Sequence, residues 1–142
     1  MGNRHQPLLC ALGLLFISGI SWADDKPATL HSLLGAQPVS EAADCVYARD
    51  VRTIEVLDER GIVLRGSHDR YWVNEFKHKC AGLRKNMVMS LNRYGSQICA
   101  NDRLEAKERG DIGSIASCRL GKFQPIAMEQ VATLKAELAG AR

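Results

Sequence analysis

The sequence predicts a mainly β, α+β fold. It is a small disulfide-stapled antiparallel β-barrel or sandwich of five to six strands, with a short helical segment before it and an amphipathic helix after it. Three observations carry this expectation. From Arg52 onward, apolar and polar residues alternate in short runs separated by turn residues, the pattern of half-buried strands. Four cysteines are spread through the body of the chain. Near the end, Met128, Val131, Leu134 and Leu138 recur at helical spacing.

Residues 24–40 begin with charge and contain Pro27, Gly35 and Pro38, and they are expected to form a flexible N-terminal segment with room for a helical turn at 29–34. Residues 40–47 (SEAADCVY) suit a brief helix, with Ser40 as N-cap and acidic residues in its first turn. A first strand follows at 53–58, with Ile54 and Val56 on one face, and a second at 62–65 beyond the Asp58-Glu59-Arg60-Gly61 turn. The third begins at Tyr71. Its alternation sends Trp72, Asn74 and Phe76 to one side, with both aromatics in the core. Asn74 between them must then find hydrogen-bond partners, expected among backbone groups of a neighbouring loop.

Met87, Met89 and Leu91 mark a fourth strand, and a hairpin loop at 92–96 returns the chain along 97–107. Asp102 interrupts that apolar face and calls for a bulge or an Asp-capped turn. A glycine-interrupted strand at 112–120 carries Cys118, and Pro125 stands where the first residue of a helix is expected. The division is a leader at 1–23, a flexible segment at 24–40, a four-cysteine β domain at 41–124 and a C-terminal helix at 125–142.

The leader reading rests on Arg4 and His5, an apolar run of thirteen residues from Leu8 to Ile20, and the small residues Ser21 and Ala23 on either side of Trp22. That is the order of a secretory signal peptide, and the run is short of the roughly 20 residues a membrane-spanning helix needs. Cleavage leaves no membrane span and removes Arg4 and Cys10. The net charge falls from +3 to +2, too weak a basic footprint to suggest nucleic acid as a partner.

The four remaining cysteines, Cys45, Cys80, Cys99 and Cys118, are an even set in a short exported chain and read as a disulfide framework with three possible connectivities. The preferred pairing is Cys80–Cys99, joining the loop after the third strand to the returning hairpin strand, with Cys45–Cys118 closing the ends of the domain. No two cysteines have zinc-site spacing, and no metal or cofactor is expected.

No nucleophile elbow, phosphate-binding loop, dinucleotide fingerprint, H-E-x-x-H helix or C-x-x-C occurs, so no catalytic residue is assigned. The candidate ligand-binding residues are Tyr71 and the basic cluster Lys77, His78, Lys79 and Arg84, followed by Lys85. Their convergence around the Cys80 loop suits a phosphate, a carboxylate or an acidic partner.

Several residues also carry a family resemblance. They are Cys45 with Arg49 and Ile54, then Asn74-x-Phe76-x-x-x-Cys80-Ala81-Gly82-Leu83, Ile98-Cys99-Ala100-Asn101-Asp102, and Cys118-Arg119-Leu120-Gly121-Lys122-Phe123-Gln124-Pro125. In this order they resemble a family of small exported four-cysteine proteins, a domain of unknown function found mainly in proteobacteria. The resemblance spans about 45–126 and departs at Ala81, where the family more often has proline. It implies an envelope location and no known cofactor or catalytic residue.

The expectation is therefore a non-enzymatic periplasmic binding or protein-interaction module of a Gram-negative envelope, whose partner is an envelope protein or an anionic ligand. The alternative is a small envelope enzyme, or an inhibitor of an envelope hydrolase. It would place His68 or His78 at a cleft with carboxylates drawn from Glu55, Asp58, Glu75 and Asp102.

Overall fold

Alternation along the central strands sends apolar side chains to both faces of one sheet, and the architecture follows from covering both. In the computed structural model, residues 30, 40–93 and 95–140 are described, so the leader and most of the 24–40 segment lie outside the described residues. Among the described residues there are nine strands, β1 (Cys45–Tyr47), β2 (Val51–Asp58), β3 (Gly61–Gly66), β4 (Tyr71–Glu75), β5 (Val88–Asn92), β6 (Gln97–Cys99), β7 (Arg103–Lys107), β8 (Ala116–Arg119) and β9 (Phe123–Ile126), then helix α1 (Met128–Gly140). The mainly β fold agrees with the sequence reading, with nine strands in place of five to six.

All pairings are antiparallel. The strands form a four-stranded sheet in the order β2-β3-β4-β9, a three-stranded sheet β5-β7-β8 and a two-stranded ribbon β1-β6. Val56, Ile62, Leu64, Trp72 and Phe123 from the first sheet meet Leu104, Ala106, Ala116 and Cys118 from the second, and Val46 and Ile98 of the ribbon join the same core. On the other face of the four-stranded sheet, Leu57, Val63, Val73 and Ile126 pack under Val131, Leu134 and Leu138 of α1, together with Leu30. The result is three layers: helix, sheet, sheet. Leu30 is fully buried here and lies close enough to Gly61 that any side chain at 61 would collide with it.

Trp72 and Phe76 lie in the core as the alternation predicts, and Asn74 between them is 0 % exposed. Its amide Nδ2 donates to the Gly121 carbonyl at 2.8 Å and the Lys122 carbonyl at 3.3 Å, and its Oδ1 accepts the Gly121 N–H at 3.0 Å. One side chain thus satisfies both backbone groups of Gly121, in the loop that feeds β9.

Four local expectations are corrected. Residues 45–47 form a strand, because pairing with residues 97–99 satisfies a backbone that an isolated short helix would leave largely unbonded. The stretch 97–107 is two strands, β6 and β7, separated by a turn in which Asp102 Oδ2 accepts the Cys99 N–H at 2.8 Å and Asn101 adopts a positive φ of 76°. The Asp-capped turn is present, and it ends one sheet and begins another. Pro125 lies inside β9 opposite Trp72, and α1 starts only at Met128, with the Ala127 N–H held by Gln130 Oε1 at 2.8 Å.

The fourth correction is the disulfide pairing. The bonds are Cys45–Cys99 and Cys80–Cys118, not Cys80–Cys99 and Cys45–Cys118. Cys45 and Cys99 face each other across the β1-β6 ribbon, with Cα atoms 4.0 Å apart. Their neighbours make the backbone bonds Ala100 N to Asp44 O and Ala48 N to Ser96 O, so the cysteines occupy a non-hydrogen-bonded pair, where opposed side chains stand closest. Once β1 is a strand against β6, the register itself sets Cys45 directly opposite Cys99. Cys80, at the end of the loop after β4, then meets Cys118 of β8 across the main core, with Cα atoms 5.3 Å apart.

Candidate functional site: a cation-rimmed groove at the end of strand β2

The turn after β2 and the loop after β4 are both rich in charge, and the fold brings them together. Glu59, in the β2-β3 turn, is the clamp. Its Oε2 takes the Lys79 ammonium at 2.8 Å, its Oε1 accepts the Gly82 N–H at 2.9 Å, and its backbone carbonyl accepts the Cys80 N–H at 2.7 Å. Gly82 has φ of +84°, a conformation that glycine adopts without a steric penalty. The Lys79 ammonium and then the Gly82 N–H hold the Glu59 carboxyl below its ordinary range, and Glu59 raises Lys79 in return. The Cys80–Cys118 bond ties the same loop to β8 from below.

Between this clamped loop, β2 and the last turn of α1 lies an open groove of about 830 Å³, within the usual range of about 300–1,000 Å³ for ligand sites. Val56, Leu57, Leu83 and Leu138 supply its apolar lining, and Arg60, Lys79, Arg84 and Lys85 its cationic rim, against Asp58 and Glu59. Arg60 pairs with Asp58 at 3.0 Å, and Arg84 pairs with Glu108. Among the described residues no ion pair involves Lys85, which also lines the adjoining depression with Glu55, Lys135 and Leu138.

The sequence-derived candidates separate into three places. Lys79 and Arg84 come together at this groove. Lys77 and His78 are exposed on the same loop and line none of the described depressions, although the Lys77 N–H caps the Arg119 carbonyl of β8 at 3.1 Å. Tyr71 sits elsewhere, partly buried beside Met128 and Val131 with Arg65 over its ring at 5.9 Å, in a depression of about 350 Å³. The sequence reading placed Leu138 in a helical stripe and Asp58 among candidate carboxylates, and did not assign Arg60, Leu138 or the end of β2 to a binding site with the basic loop. The signal for them is the charged turn Asp58-Glu59-Arg60, whose opposite charges match the basic loop that docks on it.

Among the described residues no group of His, Cys, Asp and Glu is arranged to hold a metal ion, and no helix is long and apolar enough to cross a membrane. Comparison of the chain with protein-family models, with curated proteins and with solved structures finds no match.

Proposed function

We propose that the chain is a non-enzymatic binding or protein-interaction module of the bacterial cell envelope, acting in the periplasm through the groove beside β2. The observation that carries this reading is the groove itself. It joins an apolar lining to a rim of four cations, and the Cys80–Cys118 disulfide ties the loop that carries Lys79, Leu83, Arg84 and Lys85 to β8. Two disulfides in a small domain, the leader-like N-terminus and the resemblance to exported four-cysteine proteins support the location.

Three of the four rim cations already hold a carboxylate of the chain, and Lys85 has no ion pair among the described residues. Opposite charge fixes register and speeds encounter more than it adds affinity. A photo-crosslinking residue in place of Lys85, with one in place of the exposed Ser117 on β8 as control, tests the reading in intact cells. The expected result is a discrete envelope adduct at position 85 that Arg84→Glu abolishes. Equal labelling at both positions, insensitive to Arg84→Glu, overturns it. Fractionation that leaves the chain in the cytoplasm overturns the location.

A further inference from the structure

The groove runs along the edge of a β-strand rather than across a face. Val56 and Leu57 are consecutive in β2 and point to opposite sides of the sheet, one into each core, yet both line the groove and the depression that continues it. Only a cleft that meets the strand edge-on touches both.

The backbone direction at that edge follows from register. The Phe76 N–H donates to the Arg60 carbonyl at 2.8 Å and the Gly66 N–H to the Arg70 carbonyl at 2.7 Å, so even-numbered residues of β3 turn their N–H and C=O groups toward β4. Val63 and Arg65 therefore face β2, where they stand opposite Glu55 and Thr53. Ile54 and Val56 point their backbone groups the other way, out of the sheet, Ile54 part-buried and Val56 only 3 % exposed beneath the rim of the groove. Register shifts between Val51 and Thr53 and between Val56 and Asp58 bracket this open run.

The opposite edge of the same sheet is closed at both of its outward positions. By the same alternation Phe123 and Pro125 of β9 face outward. Phe123 exchanges backbone hydrogen bonds with Ala43 at 2.8 and 2.9 Å, and Pro125 has no N–H to offer. One edge is blocked by a bridge and a proline, while among the described residues no strand pairs with the other, which borders a groove with cations on its rim. Unpaired strand edges recruit extended chains.

We infer that the β2 edge takes an extended acidic peptide segment as an added strand, bonded to the backbone of Ile54 and Val56, with its carboxylates on the rim formed by Arg84, Lys85 and Lys79. The inference rests on the groove being the binding site and specifies how it binds. Strand addition gives affinity through the main chain and specificity through alternate side chains. The bulges at both ends set the paired length at roughly four residues, since a ladder is broken where an extra residue intervenes. Of the five cations that line the groove and the adjoining depression, four are matched by Asp58, Glu59, Glu108 and Glu55, and Lys85, which has no ion pair among the described residues, is the charge left for a carboxylate of the partner.

The test is amide hydrogen exchange by NMR on the oxidised chain, with and without a capped hexapeptide of alternating valine and glutamate and a lysine-for-glutamate counterpart. In the free protein Thr53 and Glu55 are protected by the ladder, and Ile54 and Val56, which have no ladder partner among the described residues, exchange faster than they do. The acidic peptide slows Ile54 and Val56 at least tenfold and leaves Thr53 and Glu55 unchanged, and Lys85→Glu weakens its binding about tenfold, one charge-assisted contact. Ile54→Pro, which copies at this edge the device Pro125 supplies at the other, abolishes binding while Thr53 and Glu55 stay protected.

Peptide-induced shifts at Leu83 and Lys85 without protection of Ile54 and Val56 overturn strand addition and leave the groove as a binding site. No shift with either peptide overturns both. Protection of Ile54 and Val56 in the free protein, concentration-dependent by sedimentation, gives the edge to a second copy. The same protection independent of concentration means that the chain itself covers the edge. Either result overturns the inference.

Discussion

Asn74→Ala removes the buried polar side chain that ties β4 to the loop before β9. The amide is wholly buried and makes three hydrogen bonds to backbone, two of them to the single residue Gly121, 47 positions away in sequence. Truncation leaves the Gly121 N–H and C=O without their partner and opens a small polar void. Each buried group left unpaired costs about 1–3 kcal/mol, so the expected loss is about 3–4 kcal/mol. For a domain of about 100 residues that is roughly 12–30 °C in Tm, against a total stability of about 5–15 kcal/mol. Urea unfolding of the oxidised protein, followed by tryptophan fluorescence, measures it as a shift in midpoint at constant slope. Trp72 is a neighbour of Asn74 along β4 and reports the same region. The loss should be local in origin, with the Gly121 amide the first to gain exchange. A loss under about 1 kcal/mol would refute the reasoning, because it would show that Gly121 is solvated without help from Asn74.

Three further outcomes follow from the same structure. Limited reduction followed by alkylation and mass mapping should modify Cys45 and Cys99 before Cys80 and Cys118, since the first pair is half-buried on a surface ribbon and the second is 3 % exposed at each sulfur-bearing residue. The two bonds close loops of 54 and 38 residues, worth about 4 kcal/mol each in the chain-entropy model. Gly121→Ala should destabilise nearly as much as Asn74→Ala, as any Cβ there runs into the Glu75 carbonyl, a backbone atom that cannot swing aside; unfolding midpoints compare the two. Because the Glu59 carboxyl is held below 4.5, its hold on the loop is complete above that pH and lost as pH falls through the lower folded value. The Gly82 amide shift should therefore titrate with a midpoint below 4.5, and Glu59→Gln should abolish that step.

The sequence made β2, β3 and β4 legible because their alternation is local and their turns carry their own chemistry. Asn74 was legible for the same reason: a polar residue between two core aromatics must be paired with backbone nearby. The errors share a different cause. Ser40, Glu41 and the two alanines favour a helix locally, and the bridge of Ala43 to Phe123 together with the pairing of 45–47 against 97–99 overrides them. With β1 misread as helix, Cys45 loses its neighbour Cys99 and both disulfides are reassigned. Lys79 was legible as a cation but not as the partner of Glu59, 20 positions away, because a docked loop is a tertiary fact. Tyr71 stands on the opposite face of β4 from Trp72, and alternation alone does not say that the start of α1 lies beside it.

Pro125 shows how one residue supports two readings until register is known. A proline ahead of an amphipathic run is a good first helical residue, because its missing N–H is one that a helix would leave unbonded. An edge strand tolerates it on the same ground, provided that the N–H faces away from the neighbour. In β9 it does, since Val73 and Tyr71 of β4 bond to Gln124 and Ile126 and pass over Pro125. The proline therefore sits where a missing donor costs no ladder bond and also removes an attachment point for another chain. The β2 edge carries no proline at Ile54 or Val56, and its outward N–H groups border a cleft lined with leucine and rimmed with lysine and arginine. Among the described residues the two edges of one sheet are thus treated differently, one closed by a bridge and a proline and the other without either.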